Sequence, residues 1–226
     1  MSPKHYAFSV DNYQRMYENG MLGEDDRVEL IGGEIYQSKL GAVPRHYWFS
    51  VAEYERLYEN GTLGENDRVE LIRGEILQKM IIGDAHVACV NRLNYLLHER
   101  LAGKGVLVSI QNPIHLPHSM PEPDVALVPK RDDFYATGKP SAADVLLVIE
   151  VADTSLEYDR TTKRFDYAEA AVREYWIINL TERQIEMHWK PLPDGTYAQR
   201  RVIVGGTFES VALPQLELTF AEIFPS

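Results

Sequence analysis

The chain has 226 residues, 45% hydrophobic and 25% charged, which excludes a disordered protein and predicts a globular one. Its formal net charge of −11 argues against a generally basic nucleic-acid-binding surface, because phosphate contacts need Lys and Arg. A single cysteine, Cys89, excludes a disulfide framework and a cysteine-based zinc site; with no signal peptide and no apolar run of about 18 residues, a soluble, cytoplasmic protein without a membrane partner is expected.

The chain opens on a repeat. His5-Tyr-Ala-Phe-Ser-Val-Asp-Asn-Tyr-Gln-Arg-Met-Tyr-Glu-Asn-Gly20 matches His46-Tyr-Trp-Phe-Ser-Val-Ala-Glu-Tyr-Glu-Arg-Leu-Tyr-Glu-Asn-Gly61, an offset of 41 residues. The match continues through Asp26-Arg-Val-Glu-Leu-Ile31 and Asp67-Arg-Val-Glu-Leu-Ile72. Two copies are too few for a solenoid. Each reads as a helix followed by a hairpin. Ser50 caps a helix from Val51 to about Asn60, Gly61 stops it, and Tyr54, Leu57 and Tyr58 fall at helical spacing. Arg68–Ile72 and Glu75–Gln78 flank Arg73-Gly74, the pattern of a tight hairpin. Only the second copy runs on into the rest of the domain. The first, joined through Leu40–Arg45, reads as an appendage left by duplication, or as a lid, edge hairpin or homodimer contact. Two nearly identical hairpins could also compete for one place in a sheet.

Beyond the repeat, Val87, Val90, Leu93, Leu97 and Leu101 mark one face of a helix. Strands are predicted at 105–110, about 122–128 and 144–151, with the polar loop 129–143 between the last two. Asp159 is expected to cap a helix from Arg160 to about Ala171. Glu174–Leu180 reads as a buried strand, Gln184–Trp189 as an outer antiparallel strand, and Tyr197–Val204 as a further strand. A short helix is expected after Thr219. Helices on a mixed, strand-rich sheet make the fold α/β or α+β.

The chemistry lies in two consecutive apolar runs, each carrying one acid. Asp124 sits in Pro121-Glu-Pro-Asp-Val-Ala-Leu-Val128, and Glu150 ends Asp144-Val-Leu-Leu-Val-Ile-Glu150. A charge in such a run is costly to bury unless it is paired or binds a metal. Neighbouring strands carrying these acids would aim them at one cation, and carboxylate oxygens suit Mg²⁺. That pattern points to metal-assisted phosphodiester chemistry. Lys163, on the following helix, could orient or deprotonate an attacking water. Glu70 and His86 are weaker candidates for the same cleft.

These motifs resemble the PD-(D/E)XK nuclease superfamily and, within it, the Uma-two family of predicted restriction endonucleases. The resemblance rests on Asp67–Ile76, Gly83 with His86, Glu122-Pro-Asp124, Val148-Ile-Glu-Val-Ala-Asp-Thr-Ser155, Lys163 and Glu174–Ile178. It runs from about residue 45 to the C-terminus, dividing the chain into an extension at 1–44 and a domain at 45–226. It implies a restriction-endonuclease-like fold, a central mixed β-sheet flanked by helices. It also implies a Mg²⁺- or Mn²⁺-dependent nuclease acting on nucleic acid, with DNA favoured. Asp124, Glu150, Lys163, Glu70 and His86 would be its catalytic residues, and Asp124, Glu150 and Val151 its metal positions. One departure stands out: the superfamily's strand lysine is replaced by Ala152, with Lys163 as its counterpart. The repeat leaves Glu29 and Glu70 as candidates for the early acid, and Glu70 is favoured because it is continuous with the domain.

Plainer readings stand beside these. Asp124 could start a strand with its carboxylate in solvent, Lys163 could be a solvated helix residue, and Glu70 could face solvent. His86 could be a cap or a core histidine. Asp153 and Asp159 fit turn and cap roles. Tyr167, Tyr175 and Trp176 fit the core. At the level of function, the alternatives are a metal- or nucleic-acid-binding module without catalysis and a self-associating regulatory protein.

Overall fold

The protein is described by a computed structural model covering residues 2–38 and 43–225, so Leu40–Ala42 of the expected connector lie outside the described residues. The chain forms two compact units, one made of residues 3–80 with 118–120 and the other of 81–117 with 121–225.

In the first unit the two sequence repeats fold alike. Helix α1 (Val10–Glu18) begins at Ser9, whose hydroxyl accepts the Asn12 amide; strands β1 (Val28–Ile31) and β2 (Glu34–Gln37) follow. A two-residue strand, β3 (Arg45–His46), leads into the second copy: α2 (Val51–Glu59), capped by Ser50, then β4 (Val69–Ile72) and β5 (Glu75–Gln78). Asn19 and Asn60 are the C-caps, with Gly20 and Gly61 left-handed just beyond, where a glycine carries no Cβ penalty. Each hairpin closes through two residues with positive φ, Gly32-Gly33 and Arg73-Gly74, as a tight type I′ connection requires.

The hairpins do not compete for one place. β1 and β2 pair with each other, as do β4 and β5. The segments ahead of each helix are exchanged: the Tyr6 amide donates to the Ile76 carbonyl (2.8 Å) and the Tyr47 amide to the Ile35 carbonyl (2.8 Å). Each leading segment thus starts along the other copy's hairpin and then returns to its own, where the Phe8 amide donates to the Gly33 carbonyl (2.7 Å) and the Phe49 amide to the Gly74 carbonyl (2.8 Å). Phe8, Met16, Leu22 and Ile35 of the first copy share a core with Phe49, Tyr54, Leu57 and Ile76 of the second. The first copy therefore packs with the second rather than standing apart from it.

The second unit holds α3 (Asp84–Leu101), β6 (Val106–Ile110), β7 (Val125–Pro129) and β8 (Leu147–Ala152). A helical crossover follows, made of α4 (Leu156–Tyr158), a π-helical turn over Asp159–Lys163, and α5 (Arg164–Glu169). Then come β9 (Glu174–Asn179), β10 (Gln184–Pro191) and β11 (Tyr197–Ile203), the short pair β12 (Thr207–Glu209) and β13 (Glu217–Thr219), and α6 (Phe220–Ile223). The central sheet runs β11-β10-β9-β8-β7-β6; β8 and β9 are parallel and every other neighbouring pair is antiparallel.

Both faces of the sheet are covered, which is why its middle strands read as unbroken apolar runs. Alternation sorts the side chains: Val125, Leu127, Leu147, Ile149 and Val151 pack with α3 residues Leu93 and Leu97. Ala126, Val128, Val148 and Ala152 pack on the other face with Tyr167 of α5 and with Val172. Two sequence expectations are corrected. β10 is an interior strand, because β11 takes the edge. The crossover helix starts at Leu156, not after Asp159, so Asp159 lies inside it and is buried.

Candidate active site

Asp124 immediately precedes β7 and Glu150 lies within β8. The antiparallel register Val125↔Ile149 sets the two acids beside each other on adjacent strands. Both are buried, at 9% and 4% exposure. The Asp124 main-chain N–H approaches Glu150 Oε2 at 3.4 Å. Two carboxylates cannot be buried side by side without partners, and each has one. Asp124 Oδ2 accepts the Val151 amide (2.8 Å) and lies 3.0 Å from His86 Nε2. Glu150 Oε1 accepts from Lys163 Nζ (2.9 Å) and from the Tyr167 hydroxyl (2.7 Å). Gln111 reaches Asp124 Oδ1 at a longer 3.3 Å.

The supporting elements explain these contacts. His86 sits in the first turn of α3, which brings its ring over the start of β7. Lys163 ends the π-helical turn of the crossover. Such turns occur mostly as single bulges within α-helices, frequently at functional positions. The turn delivers Lys163 to the same sheet face as Glu150. Ala152, two residues after Glu150, shares that face by strand alternation and is fully buried. A lysine there would occupy the space that Lys163 enters from the helix.

The electrostatics are coupled. Burial pushes the Asp124 carboxyl upward, but the hydrogen bond and charge of His86, the Val151 amide and the charge of Lys163 bring it below the ordinary carboxylate range. Burial pushes the His86 imidazole down, but Asp124, Glu150 and Asp159 raise it above its usual value. His86 Nδ1 is buried and lacks a hydrogen-bond partner.

The structure thus brings together Asp124, Glu150, Lys163 and His86. Val151 contributes its main chain, the only part of this residue able to approach a cation through oxygen. Glu70 lies on β4 in the other unit and is buried at 5%, which excludes the solvent-facing reading; its counterpart Glu29 is exposed. Tyr167 was expected only in the core, yet its hydroxyl binds Glu150. Its place four residues after Lys163 on a helix was the available signal, since that spacing puts two side chains on one face. Gln111 carried no sequence signal.

A divalent metal fits this donor set. Two carboxylates on neighbouring strands match what Mg²⁺ takes from a protein, which is one or two acids with water completing the shell. The orphaned His86 nitrogen marks a place for a further polar group.

Helix α3, the antiparallel β6-β7-β8 strands, the crossover helix and parallel β9 define a restriction-endonuclease-like protein. The chain belongs to the Uma2 family, described as "Putative restriction endonuclease", whose pattern matches residues 51–221. Among solved structures it is similar to "a putative nuclease belonging to DUF820 from Anabaena variabilis", with a TM-score of 0.60 at 14% identity, over 78% of this chain and 97% of that one. No curated protein matches the sequence.

Proposed function

We propose that this protein is a Mg²⁺- or Mn²⁺-dependent endonuclease that hydrolyses phosphodiester bonds, with DNA as its substrate. The observation that carries the reading is the buried pair Asp124–Glu150 on adjacent strands, with Lys163 held 2.9 Å from Glu150. Asp124, Glu150 and the Val151 main chain would hold the metal. When bound, such an ion lowers the pKa of a water and polarises the phosphate. Lys163 would stabilise the charge that develops on the phosphate and orient the attacking water. Tyr167 fixes the Glu150 carboxylate, and His86 fixes Asp124. The family assignment and the acidic pair support this reading together.

A plasmid-cleavage assay in Mg²⁺ and in Mn²⁺ tests it. Wild-type protein should cut, and Asp124→Asn and Glu150→Gln should lose at least about 100-fold in rate, as expected for loss of metal-assisted or acid–base catalysis. A non-catalytic binding module is favoured by one observation, Ala152 in place of the strand lysine. Calorimetric Mg²⁺ binding that depends on Asp124, without turnover of DNA or RNA, would establish that alternative.

A further inference from the structure

The repeat unit contains a second cluster of ligand-type side chains. Among the described residues, His5, Glu34 and His46 each offer one ligand atom, all within 4.8 Å of one another. His46 Nδ1 lies 3.4 Å from Glu34 Oε2, and His5 Nδ1 lies 3.7 Å from the same oxygen. On its other side, His5 Nε2 is 3.7 Å from Glu75 Oε1. The two rings stand edge to face, with centroids 5.0 Å apart.

The repeat explains how these groups meet. His5 and His46 are equivalent positions of the two copies, as are Glu34 and Glu75. His5 bridges to Leu77 beside β5, while His46 on β3 pairs with Tyr36 of β2. The exchange of leading segments therefore brings two copies of one His–Glu pair into a single cluster. Phe8, Ile35, Phe49 and Ile76 line the pocket beneath it.

We propose that His5, Glu34 and His46 bind a transition-metal cation of the Zn²⁺ class, with Glu75 orienting His5. The spacings of 3.4 and 3.7 Å are long for charged hydrogen bonds. They are close to the edge of a tetrahedron around zinc, about 3.4 Å for Zn–N and Zn–O bonds of normal length. Two imidazoles and one carboxylate form a borderline-soft donor set, in contrast to the all-oxygen ligands that Mg²⁺ prefers. Glu75, 3.7 Å from the second ring nitrogen of His5, stands where the carboxylate of a carboxylate–histidine–metal arrangement would lie. The Tyr36 hydroxyl, 2.9 Å from Glu34 Oε2, is a further outer partner. The four side chains are about one-third exposed, so an ion can enter. The family match begins at residue 51, after both histidines and Glu34. This site is thus independent of the nuclease reading.

Calorimetric titration of the full chain with ZnCl₂, and visible spectra of the Co²⁺ form, test the proposal. The background should be Asp124→Asn, so that the acidic pair in the other unit does not contribute. One ion per chain is expected, with tetrahedral Co²⁺ bands. His46→Ala and Glu34→Gln should abolish both, and Glu75→Gln should weaken binding by about 10- to 100-fold. Far-UV circular dichroism identifies any unfolded variant, and Glu34→Gln, which keeps side-chain shape, serves as the second probe. Zinc binding that is unchanged in folded His46→Ala and Glu34→Gln, or no zinc binding by the parent chain, would overturn the proposal.

Discussion

Lys163 and Tyr167 both hold Glu150 Oε1, but they differ in kind. The lysine supplies a charge to a buried acid, whereas the tyrosine supplies a neutral hydrogen bond. Tyr167→Phe should leave the fold intact and lower cleavage modestly, by about tenfold, the equivalent of one hydrogen bond. Lys163→Met should cost far more, on the order of 100-fold or above, because under the proposed mechanism it would also remove transition-state charge stabilisation. Parallel cleavage assays check the ordering. The His86–Asp124 pair makes a pH prediction. Asp124 is depressed in the folded state, so its contribution to stability is complete above its unfolded value of 3.8 and is lost as pH falls through the folded value. His86 is raised, so its contribution is complete below its unfolded value of 6.5 and is lost as pH rises through the folded value. The pair is therefore most stabilising between these limits. In His86→Phe the fall in stability on the alkaline side should flatten, as measured by urea denaturation across pH.

Two strands carry polar groups whose burial has consequences of its own. On β9, Glu174 is fully buried, yet it accepts hydrogen bonds from Trp176 Nε1 (2.7 Å), Ser210 Oγ (2.6 Å) and the Ala212 amide (2.8 Å). It ties the loop before β13 to the sheet. Glu174→Ala would orphan several donors at once and should cost about 3–5 kcal/mol in chemical denaturation, without touching the acid pair. On β10, His188 is buried and depressed to about 4, first by desolvation and then by the charges of Arg164 and Arg200. Its native form is neutral, so its contribution is complete above the unfolded value of 6.5 and is lost as pH falls toward 4. The loss amounts to roughly 3 kcal/mol at most. His188→Phe should remove this acid sensitivity, read as a smaller drop in melting temperature between neutral and acidic buffer.

At this scale the sequence was informative where burial was two-sided. The strands at 125–129, 147–152 and 174–179 were legible because an apolar run must be covered on both faces. β10 misled because its alternation resembles an edge strand, although β11 lies outside it. The start of the crossover was misplaced because Asp159 has the chemistry of a cap. In the structure the Ser155 hydroxyl donates to its carboxylate at 2.6 Å, and the helix has already begun. The proximity of the two acids and Lys163 was suggested by their positions in apolar runs and on the next helix. The link between Tyr167 and Glu150 had only the four-residue spacing from Lys163 as its signal, and a tyrosine at that spacing serves a core equally well. The His5–Glu34–His46 cluster was hidden for another reason: it forms only when the copies exchange leading segments, and no local pattern encodes that exchange.

For the whole molecule, the first copy is part of a core that it shares with the second. First-copy residues Phe8, Met16, Met21, Leu22, Val28 and Ile35 are all in the shared core. Burying six such side chains contributes on the order of 10 kcal/mol, comparable to the net stability of a domain. A chain that begins at residue 42 would expose their partners, among them Phe49, Val51, Tyr54 and Leu57. Its second copy should then pair with that of another chain, and light scattering should show a dimer or aggregate where the full chain is smaller. Among the described residues no helix is long and apolar enough to cross a membrane. The proposed activity rests on the acids just before β7 and within β8. Its most direct test is the cleavage of supercoiled DNA in Mn²⁺ by wild-type and Asp124→Asn proteins of equal thermal stability. Cutting by the first and at least about a 100-fold loss in the second are expected; equal cutting by both would rule out a metal-holding role for Asp124.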